Sequence, residues 1–332
     1  MQSSGVWRSR ERHYDNQALQ HESRSAALTA RRSGPLYGYK RYANAVKRRL
    51  IEQYAANANL LVDVGCGRGG DIDKWRGANV RRVLAMDLSG AQLEEARIRE
   101  RQGGHAKRAQ CQIEFVQLSM MERDLASRLG VAGTADAAAA QFAVQYAFGS
   151  EAAVSALLAQ VSALLREGGV FFGTAPDGEA IAKLLRQRGD QNGALRIAPP
   201  EAPFVLRLEL RGGVQRGGGA DGGGQDEGLD RSFGQELLFS LEDTVTEGSG
   251  EAGCSEYLLL RPEFARLADA QGLQMVEMAT MLQPPPPPPP PPGMAGVQPA
   301  RRPPSKLPSL TEAEALVAGL YFSFAFRKRC HR

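Results

Sequence analysis

Five short apolar runs, separated by segments of helical pattern, constrain the fold of this 332-residue chain more than any other feature. Runs of this length that are bounded by turn residues are typical of buried strands. Strands that alternate with helices form a parallel sheet whose crossover connections cover both faces. The pattern therefore predicts an α/β domain. The runs lie at residues 60–64, 80–86, 112–117, 136–144 and 169–174.

Helices are predicted at 36–56, 89–102 and 150–167. Ser89 is a suitable N-cap for the second helix, and the third has a strong apolar stripe followed by a glycine that would stop it. The aromatic stretch at 317–326 is short and bounded, so we expect it to return to the sheet as the final strand.

Two low-complexity tracts interrupt the pattern, one rich in glycine at 212–228 and one rich in proline at 284–308. We expect both to form disordered or polyproline loops that contribute no core. The sequence thus predicts one domain over 35–328 that carries two insertions. A basic arm over 1–34 precedes this domain, and a short tail at 329–332 follows it.

The composition excludes several classes of protein. Hydrophobic residues make up 42% of the chain, which suffices for a core. The four cysteines have no CxxC spacing and the four histidines have no ligand spacing, so we expect neither disulfides nor a metal site. We expect a soluble intracellular protein without membrane contact, because there is no signal-peptide core and no run of 18 apolar residues.

The net charge of +4 is unevenly distributed along the chain. Residues 1–50 contain eleven Lys or Arg against three Asp or Glu, and residues 300–332 contain seven against two. Basic ends of this kind are typical of proteins that bind a phosphate-rich partner. A solvated tail and helix face would give the same charge pattern, so both interpretations stay open.

The segment VDVGCGRGGD at 62–71 is the most informative motif. A strand that ends in a glycine-rich turn is where a parallel sheet binds nucleotide-like ligands, because glycine lets the backbone approach the ligand closely. Asp63 lies within that strand, and Asp87 ends the next one, where it could accept hydrogen bonds from the two hydroxyls of a ribose. Asp87 could instead cap the helix that follows. The glycine-rich turn is paired with a single acidic residue for a ribose, and the chain has no further substrate domain. This combination favours S-adenosylmethionine over NAD as the cofactor.

Several separated segments resemble the eukaryotic mRNA cap guanine-N(7) methyltransferases. The resemblance covers roughly 37–328, apart from the two insertions, and implies a class I, Rossmann-like methyltransferase fold. Such a fold has a seven-stranded, mostly parallel sheet with helices on both faces. Besides the glycine-rich motif, the segments are YANAVK at 42–47, DAAAAQFAVQYAF at 136–148, GTAPD at 173–177, SEYLL at 255–259 and LYFSFAF at 320–326.

The resemblance implies a site in two halves. The cofactor half would hold S-adenosylmethionine through Lys47, Asp63, Gly65, Gly67, Asp87, Ser119, Gln141 and Tyr146. The substrate half would hold the cap through Asn44, Arg68, Lys74, Phe142, Gln145, Tyr146, Pro176, Glu256 and Tyr321. Within it, Glu256 would accept hydrogen bonds from the N–H donors of guanine. No catalytic acid or base and no metal is expected, because nitrogen 7 of guanine has a free lone pair and placement supplies the catalysis.

Three positions depart from the family pattern and leave the level of activity open. Ser119 stands where an acidic residue usually contacts the adenine, Gln145 stands where histidine is usual, and Leu237 replaces a tyrosine. Phe142 and Tyr321 could also be ordinary core aromatics, and Glu256 could be solvated at the start of a strand.

The resemblance implies 5′-capped RNA as a partner, together with the capping guanylyltransferase and the RNA polymerase II machinery, in the nucleus. Two other functions stay open. One is methyl transfer to another nucleic acid or to a small molecule, and the other is a cap- or RNA-binding module with little or no turnover.

Overall fold

The computed structural model describes residues 34–102, 110–211, 232–242, 254–283 and 307–330, together with Asp15 and Thr244. The glycine-rich insertion, residues 284–306 of the proline-rich insertion and nearly all of the basic arm lie outside the described residues. The predicted boundaries of the domain, arm, insertions and tail therefore stay predictions. None of the described helices is long and apolar enough to cross a membrane.

A seven-stranded sheet forms the centre of the molecule, with the strand order β3-β2-β1-β4-β5-β11-β10. The strands β1 to β5 pair in parallel, whereas β11 runs antiparallel to both of its neighbours, β5 and β10. The predicted seven-stranded, mostly parallel α/β sheet is confirmed. Its strands are β1 (Leu60–Val64), β2 (Arg82–Asp87), β3 (Gln112–Gln117), β4 (Ala135–Gln141), β5 (Leu165–Pro176), β10 (Leu273–Thr280) and β11 (Tyr321–Lys328).

Helices lie between most of the strands. They are α1 (Tyr37–Tyr54), α2 (Ile72–Gly77), α3 (Gly90–Arg101), α4 (Leu125–Arg128), α5 (Glu151–Leu164), α6 (Gly178–Arg188), α7 (Arg261–Ala270) and α8 (Glu312–Ala318). The N-cap predicted for α3 is confirmed, since the Ser89 hydroxyl accepts the Gln92 N–H at 3.1 Å.

Buried side chains alternate along the strands and build one hydrophobic core on each face of the sheet. Leu61 and Val83 belong to the core that includes α1, whereas Val62 and Leu84 belong to the core that includes α5 and α7. The core of α1 also anchors α8, where the Glu314 carboxylate accepts the Tyr39 N–H at 2.8 Å. This bond fixes the first turns of α1 above the sheet.

A second, four-stranded antiparallel sheet, with the order β6-β7-β8-β9, was not predicted. Its apolar side, which includes Leu206 and Phe239, packs into the core of α1. The side chains that alternate with these along β7, Arg207 and Glu209, are more exposed. Its strands are β6 (Ala194–Ile197), β7 (Leu206–Leu210), β8 (Glu236–Leu241) and β9 (Cys254–Tyr257).

Three predicted boundaries are corrected by the structure. The final strand begins at Tyr321, because residues 312–318 form α8 behind a Thr311 capping box. Helix α5 ends at Leu164, and the predicted stop glycine lies in β5, which begins at Leu165. Strand β4 ends at Gln141, because Phe142 adopts a positive φ of 59° that is incompatible with a strand.

Candidate active site

A cavity of about 340 Å³ opens at the carboxyl ends of β1, β2, β4 and β5. Helix α1 and the small sheet complete its walls. Most of the residues predicted for the site line it, although they are scattered along the chain. They are Asn44, Lys47, Gly65, Gly67, Arg68, Asp87, Ser119, Gln141, Phe142, Gln145, Tyr146, Pro176, Glu256 and Tyr321.

Asp63 and Lys74 do not line the cavity. Both side chains are buried, and the Lys74 ammonium donates hydrogen bonds to the Gly70 carbonyl at 2.8 Å and to Asp71 at 2.6 Å. Lys74 therefore stabilises the glycine-rich loop from beneath, and its predicted contact with phosphates is corrected. Burial raises the pKa of Asp63, with a further contribution from the neighbouring Asp71.

The loop after β1 brings its backbone to the cavity wall through left-handed glycines, with φ of 82° at Gly65 and 52° at Gly67. A Cβ atom on Gly65 would lie 2.8 Å from the Cβ of Ala143, so a larger residue would strain both loops. The Gly67 N–H donates to the Asp87 carboxylate at 2.8 Å. The loop is thus tied to the end of β2.

The sequence left two roles open for Asp87, that of a ribose acceptor and that of a helix cap. One carboxylate oxygen accepts the Ser89 N–H at 3.0 Å, as a residue before a helix does, and the other accepts the Gly67 N–H. The same carboxylate lines the cavity. Burial raises its pKa, and the backbone hydrogen bonds oppose this effect because they favour the charged form.

Asp71, the last residue of the glycine-rich motif, also lines the cavity, and no role was predicted for it. Its carboxylate accepts the Lys47 ammonium at 2.9 Å. Burial alone would raise its pKa, but the ammonium groups of Lys47 and Lys74 outweigh this effect and lower the pKa to about 2. Burial lowers the pKa of Lys74 to about 8, in spite of its bond to Asp71. At the cavity wall, the Lys47 ammonium and the Asp71 carboxylate lie side by side.

Glu256 places a buried carboxylate in the wall of the cavity. It is 2% exposed, so the alternative that it is solvated is excluded. Its Oε1 accepts the Tyr146 hydroxyl at 3.0 Å and the Gln145 amide at 3.4 Å. Both donors come from the 3₁₀ turn after β4, whereas Glu256 comes from β9. These bonds hold the carboxylate in one orientation.

Three aromatic rings, those of Tyr39, Phe142 and Tyr321, form part of the cavity wall. The rings of Phe142 and Tyr321 meet edge to face at 5.2 Å, and Tyr39 stacks on Tyr321 at 6.1 Å. Two hydrogen bonds hold Phe142 in its strained backbone conformation. The Thr174 carbonyl accepts its N–H at 2.8 Å, and its own carbonyl accepts the Gln145 amide at 2.9 Å.

Gln141 has a buried donor at the cavity wall. The Thr174 hydroxyl donates to its Oε1 at 3.0 Å, while its Nε2 has no hydrogen-bond partner among the described residues. A buried N–H group without a partner is costly, so this atom is suited to a ligand that accepts a hydrogen bond.

Further lining residues were not found from the sequence. Lys40 and Arg99 add cations to Arg68 around the cavity. Leu241 ends β8 and Thr244 follows it, and both line the cavity. Lys40 could have been found from its helical spacing with Asn44 and Lys47. Nothing in the sequence placed Leu241 or Thr244 beside the first sheet. The described residues contain no cluster of three side chains suited to a metal ion.

Comparison with known proteins relates this site to one family. Residues 6–194 match the family model described as the mRNA (guanine-N(7))-methyltransferase domain. The mRNA cap guanine-N(7) methyltransferase 1 of Arabidopsis thaliana is 30% identical over 273 residues, which cover 80% of this chain and 67% of that protein. The corresponding protein of Oryza sativa subsp. japonica is 28% identical over 315 residues, which cover 91% of this chain and 78% of that protein.

A solved structure supports the fold alone. The CcbJ methyltransferase from Streptomyces caelestis superposes with a TM-score of 0.51 at 13% sequence identity, over 90% of this chain and 91% of that one.

Proposed function

The chain belongs to the mRNA (guanine-N(7))-methyltransferase family, and we propose from its cavity how it transfers a methyl group from S-adenosylmethionine to nitrogen 7 of the 5′ cap guanine of mRNA. One observation carries this mechanism. The buried, hydrogen-bonded Glu256 carboxylate and the loop of Gly65 and Gly67 lie on the same cavity. A guanine reader and a cofactor cradle are thereby brought together.

The residues around the loop fit S-adenosylmethionine. The exposed backbone at Gly65 leaves room that a Cβ atom would fill, and Asp87 presents a carboxylate to a ribose. Lys47 and Asp71 offer a cation for the methionine carboxylate and an anion for its ammonium group. Ser119, at the end of β3, lies where the adenine would be placed, and it offers a hydroxyl group in place of the usual carboxylate.

Glu256 explains the selection of guanine. The ring N–H and the exocyclic amino group of guanine form a donor pair that a carboxylate accepts and that adenine lacks. The Tyr146 and Gln145 donors engage Oε1 and orient the carboxylate. Phe142, Tyr321 and Pro176 wall the base.

The cations around the cavity are suited to the triphosphate bridge of capped RNA. Arg68, Arg99 and Lys40 line the cavity, and Asn44 lies beside them on α1. Arginine and lysine bind phosphate oxygens through charge-assisted hydrogen bonds.

The bound cofactor supplies a methyl group on a positively charged sulfur, which is an electrophile for a nitrogen lone pair. The protein needs no general base, because nitrogen 7 carries no proton that must be removed. Glu256 and the aromatic wall hold the base, while Lys47, Asp71 and Asp87 hold the other reactant. Alignment of this kind lowers a barrier by about 7–11 kcal/mol.

Incubation with labelled S-adenosylmethionine and unmethylated capped RNA, followed by digestion to the cap dinucleotide, tests the proposal. We expect the label on nitrogen 7 of the cap guanine. A label elsewhere in the RNA would identify another nucleic-acid methyltransferase. Binding of capped RNA without any label would identify a binding module.

We further propose that the protein acts in the nucleus with the capping guanylyltransferase and the RNA polymerase II machinery. The cap guanine must be added before it is methylated, and a basic arm is compatible with nuclear import and with RNA. Isolation of the tagged protein from nuclei, together with either partner, would support this proposal. Its recovery from cytoplasm alone would overturn it.

A further inference from the structure

The outer face of α1 carries an exposed aromatic ring beside a cation. Tyr37 keeps 38% of its surface exposed, although large apolar side chains elsewhere in the described chain are mostly buried. The guanidinium of Arg41 lies over its ring, 5.6 Å from the ring centroid. Arg41 is itself exposed and makes no ion pair with an acidic residue among those described. The pair is thus a small platform that combines an exposed aromatic ring with a positive charge.

The platform adjoins the wall of the cavity along α1. Residues three, four and seven positions apart share one face of a helix, and Lys40, Asn44 and Lys47, which line the cavity, follow this spacing. Tyr37 lies three residues before Lys40, and Arg41 lies three residues before Asn44. We call the set of Tyr37, Lys40, Arg41 and Asn44 the α1 ridge. A chain that leaves the cavity over Lys40 and Asn44 would reach Tyr37 and Arg41 next.

Two cations give the exposed face of this end of α1 a positive charge. The first turn of the helix contains no acidic residue, and the Glu314 carboxylate that accepts the Tyr39 N–H is buried. The attraction for an anion therefore comes from the side chains of Lys40 and Arg41. Single-stranded nucleic acids are bound by this combination of cations along the phosphates and an aromatic ring beneath a base.

We propose that the α1 ridge binds the transcript itself, with the base of one of its leading nucleotides stacked on Tyr37 and the adjoining phosphates beside Arg41 and Lys40. This inference rests on the proposed function, because it assigns the segment of RNA that follows the triphosphate bridge. Stacking on a ring accepts every base, so the ridge contributes affinity for capped RNA without sequence preference.

The test measures the affinity of the protein for two ligands in the presence of S-adenosylhomocysteine. One is a fluorescent, capped ten-nucleotide RNA, and the other is guanosine 5′-triphosphate, which carries no transcript. Tyr37→Ala should weaken the affinity for capped RNA about 5- to 20-fold and leave the affinity for guanosine 5′-triphosphate unchanged. Tyr37→Phe keeps the ring and should stay within about twofold of the parent protein. Arg41→Ala should weaken RNA binding and reduce its dependence on salt.

Arg82→Ala is the matched control. Arg82 is also an exposed arginine, but it begins β2 and pairs with Glu114, so it lies at the opposite end of the parallel strands from the cavity. We expect no change in binding from this substitution. Melting temperatures of all variants should match that of the parent, and if Tyr37→Ala is unstable, Arg41→Ala carries the test.

The outcomes separate this inference from the proposed function. The inference is overturned if Tyr37→Ala and Arg41→Ala bind capped RNA as tightly as the parent does. It is also overturned if their affinity for guanosine 5′-triphosphate falls by the same factor as their affinity for capped RNA. If the parent protein binds neither ligand, the proposed function fails and the inference fails with it.

Discussion

At the scale of single residues, the cavity is supported by charges that depend on one another. Lys47 and Lys74 both contact Asp71, and these three side chains are largely buried. Burial of an isolated charge is costly, so each group is tolerated because of its partners. Asp71 is the central member, since it neutralises one ammonium group at the cavity wall and another beneath the loop.

The first prediction concerns Asp71 and pH. Its pKa is about 2 in the folded protein against an ordinary value of 3.8, so the unfolded chain binds the proton more readily. The stability that Asp71 contributes is therefore fully present above about pH 4, and it is lost as the pH falls towards 2. Asp71→Asn should lower the free energy of unfolding near neutral pH by about 3–5 kcal/mol. This difference should shrink by about 2 kcal/mol between pH 4 and pH 2.

Urea unfolding of both proteins at a series of pH values measures this difference. A stability difference that stays constant down to pH 2 would show that the pKa of Asp71 is not depressed by its two lysine partners.

The second prediction concerns Asp87. If its carboxylate accepts both hydroxyls of the cofactor ribose, Asp87→Ala removes charged hydrogen bonds that are worth about 1.5–3 kcal/mol each. Calorimetry should therefore show that affinity for S-adenosylmethionine falls by at least about tenfold. A folded variant with the affinity of the parent protein would exclude Asp87 as the ribose acid.

At the scale of helices and strands, the sequence predicted most of the first sheet. Apolar runs located β1 to β5, and the N-cap residue Ser89 located the start of α3. Local pattern was insufficient where the chain turns sharply into the site. Phe142 adopts a left-handed backbone whose N–H is accepted by the carbonyl of Thr174 on the neighbouring strand β5 and whose carbonyl accepts the Gln145 amide. Propensity does not encode such tertiary bonds.

The third prediction compares two helix N-caps. The hydroxyls of Ser89 and Ser150 each accept an N–H group at the start of a helix, at 3.1 Å and 3.2 Å. Alanine at either position should lower the free energy of unfolding by about 0.5–2 kcal/mol. Only Ser89→Ala should also weaken binding of S-adenosylmethionine, because loss of the cap loosens the start of α3, where the backbone N–H of residue 89 orients Asp87. Equal cofactor affinity in both variants would show that α3 does not position the ribose acid.

At the scale of the whole molecule, the site exists because two sheets meet. The first sheet supplies the loop of Gly65 and Gly67 together with Asp87, and the small sheet supplies Glu256. The family resemblance indicated Glu256, but the sequence pattern gave no sign of the sheet that carries it. Strands β6 to β9 are short and are separated by the glycine-rich insertion, so their pairing depends on contacts between distant segments. Most of the residues that the resemblance named line one cavity, but the resemblance did not predict the architecture that brings them together.

The most direct test of the account is the efficiency of methyl transfer to capped RNA by Glu256→Gln. This substitution keeps the size of the side chain but replaces one acceptor oxygen with a donor that opposes the N–H groups of guanine. We predict that kcat/KM for capped RNA falls by roughly 30-fold to several thousandfold, equivalent to about 2–5 kcal/mol, while affinity for S-adenosylmethionine is unchanged. A variant that methylates capped RNA as efficiently as the parent protein would contradict the assignment of Glu256 as the guanine reader.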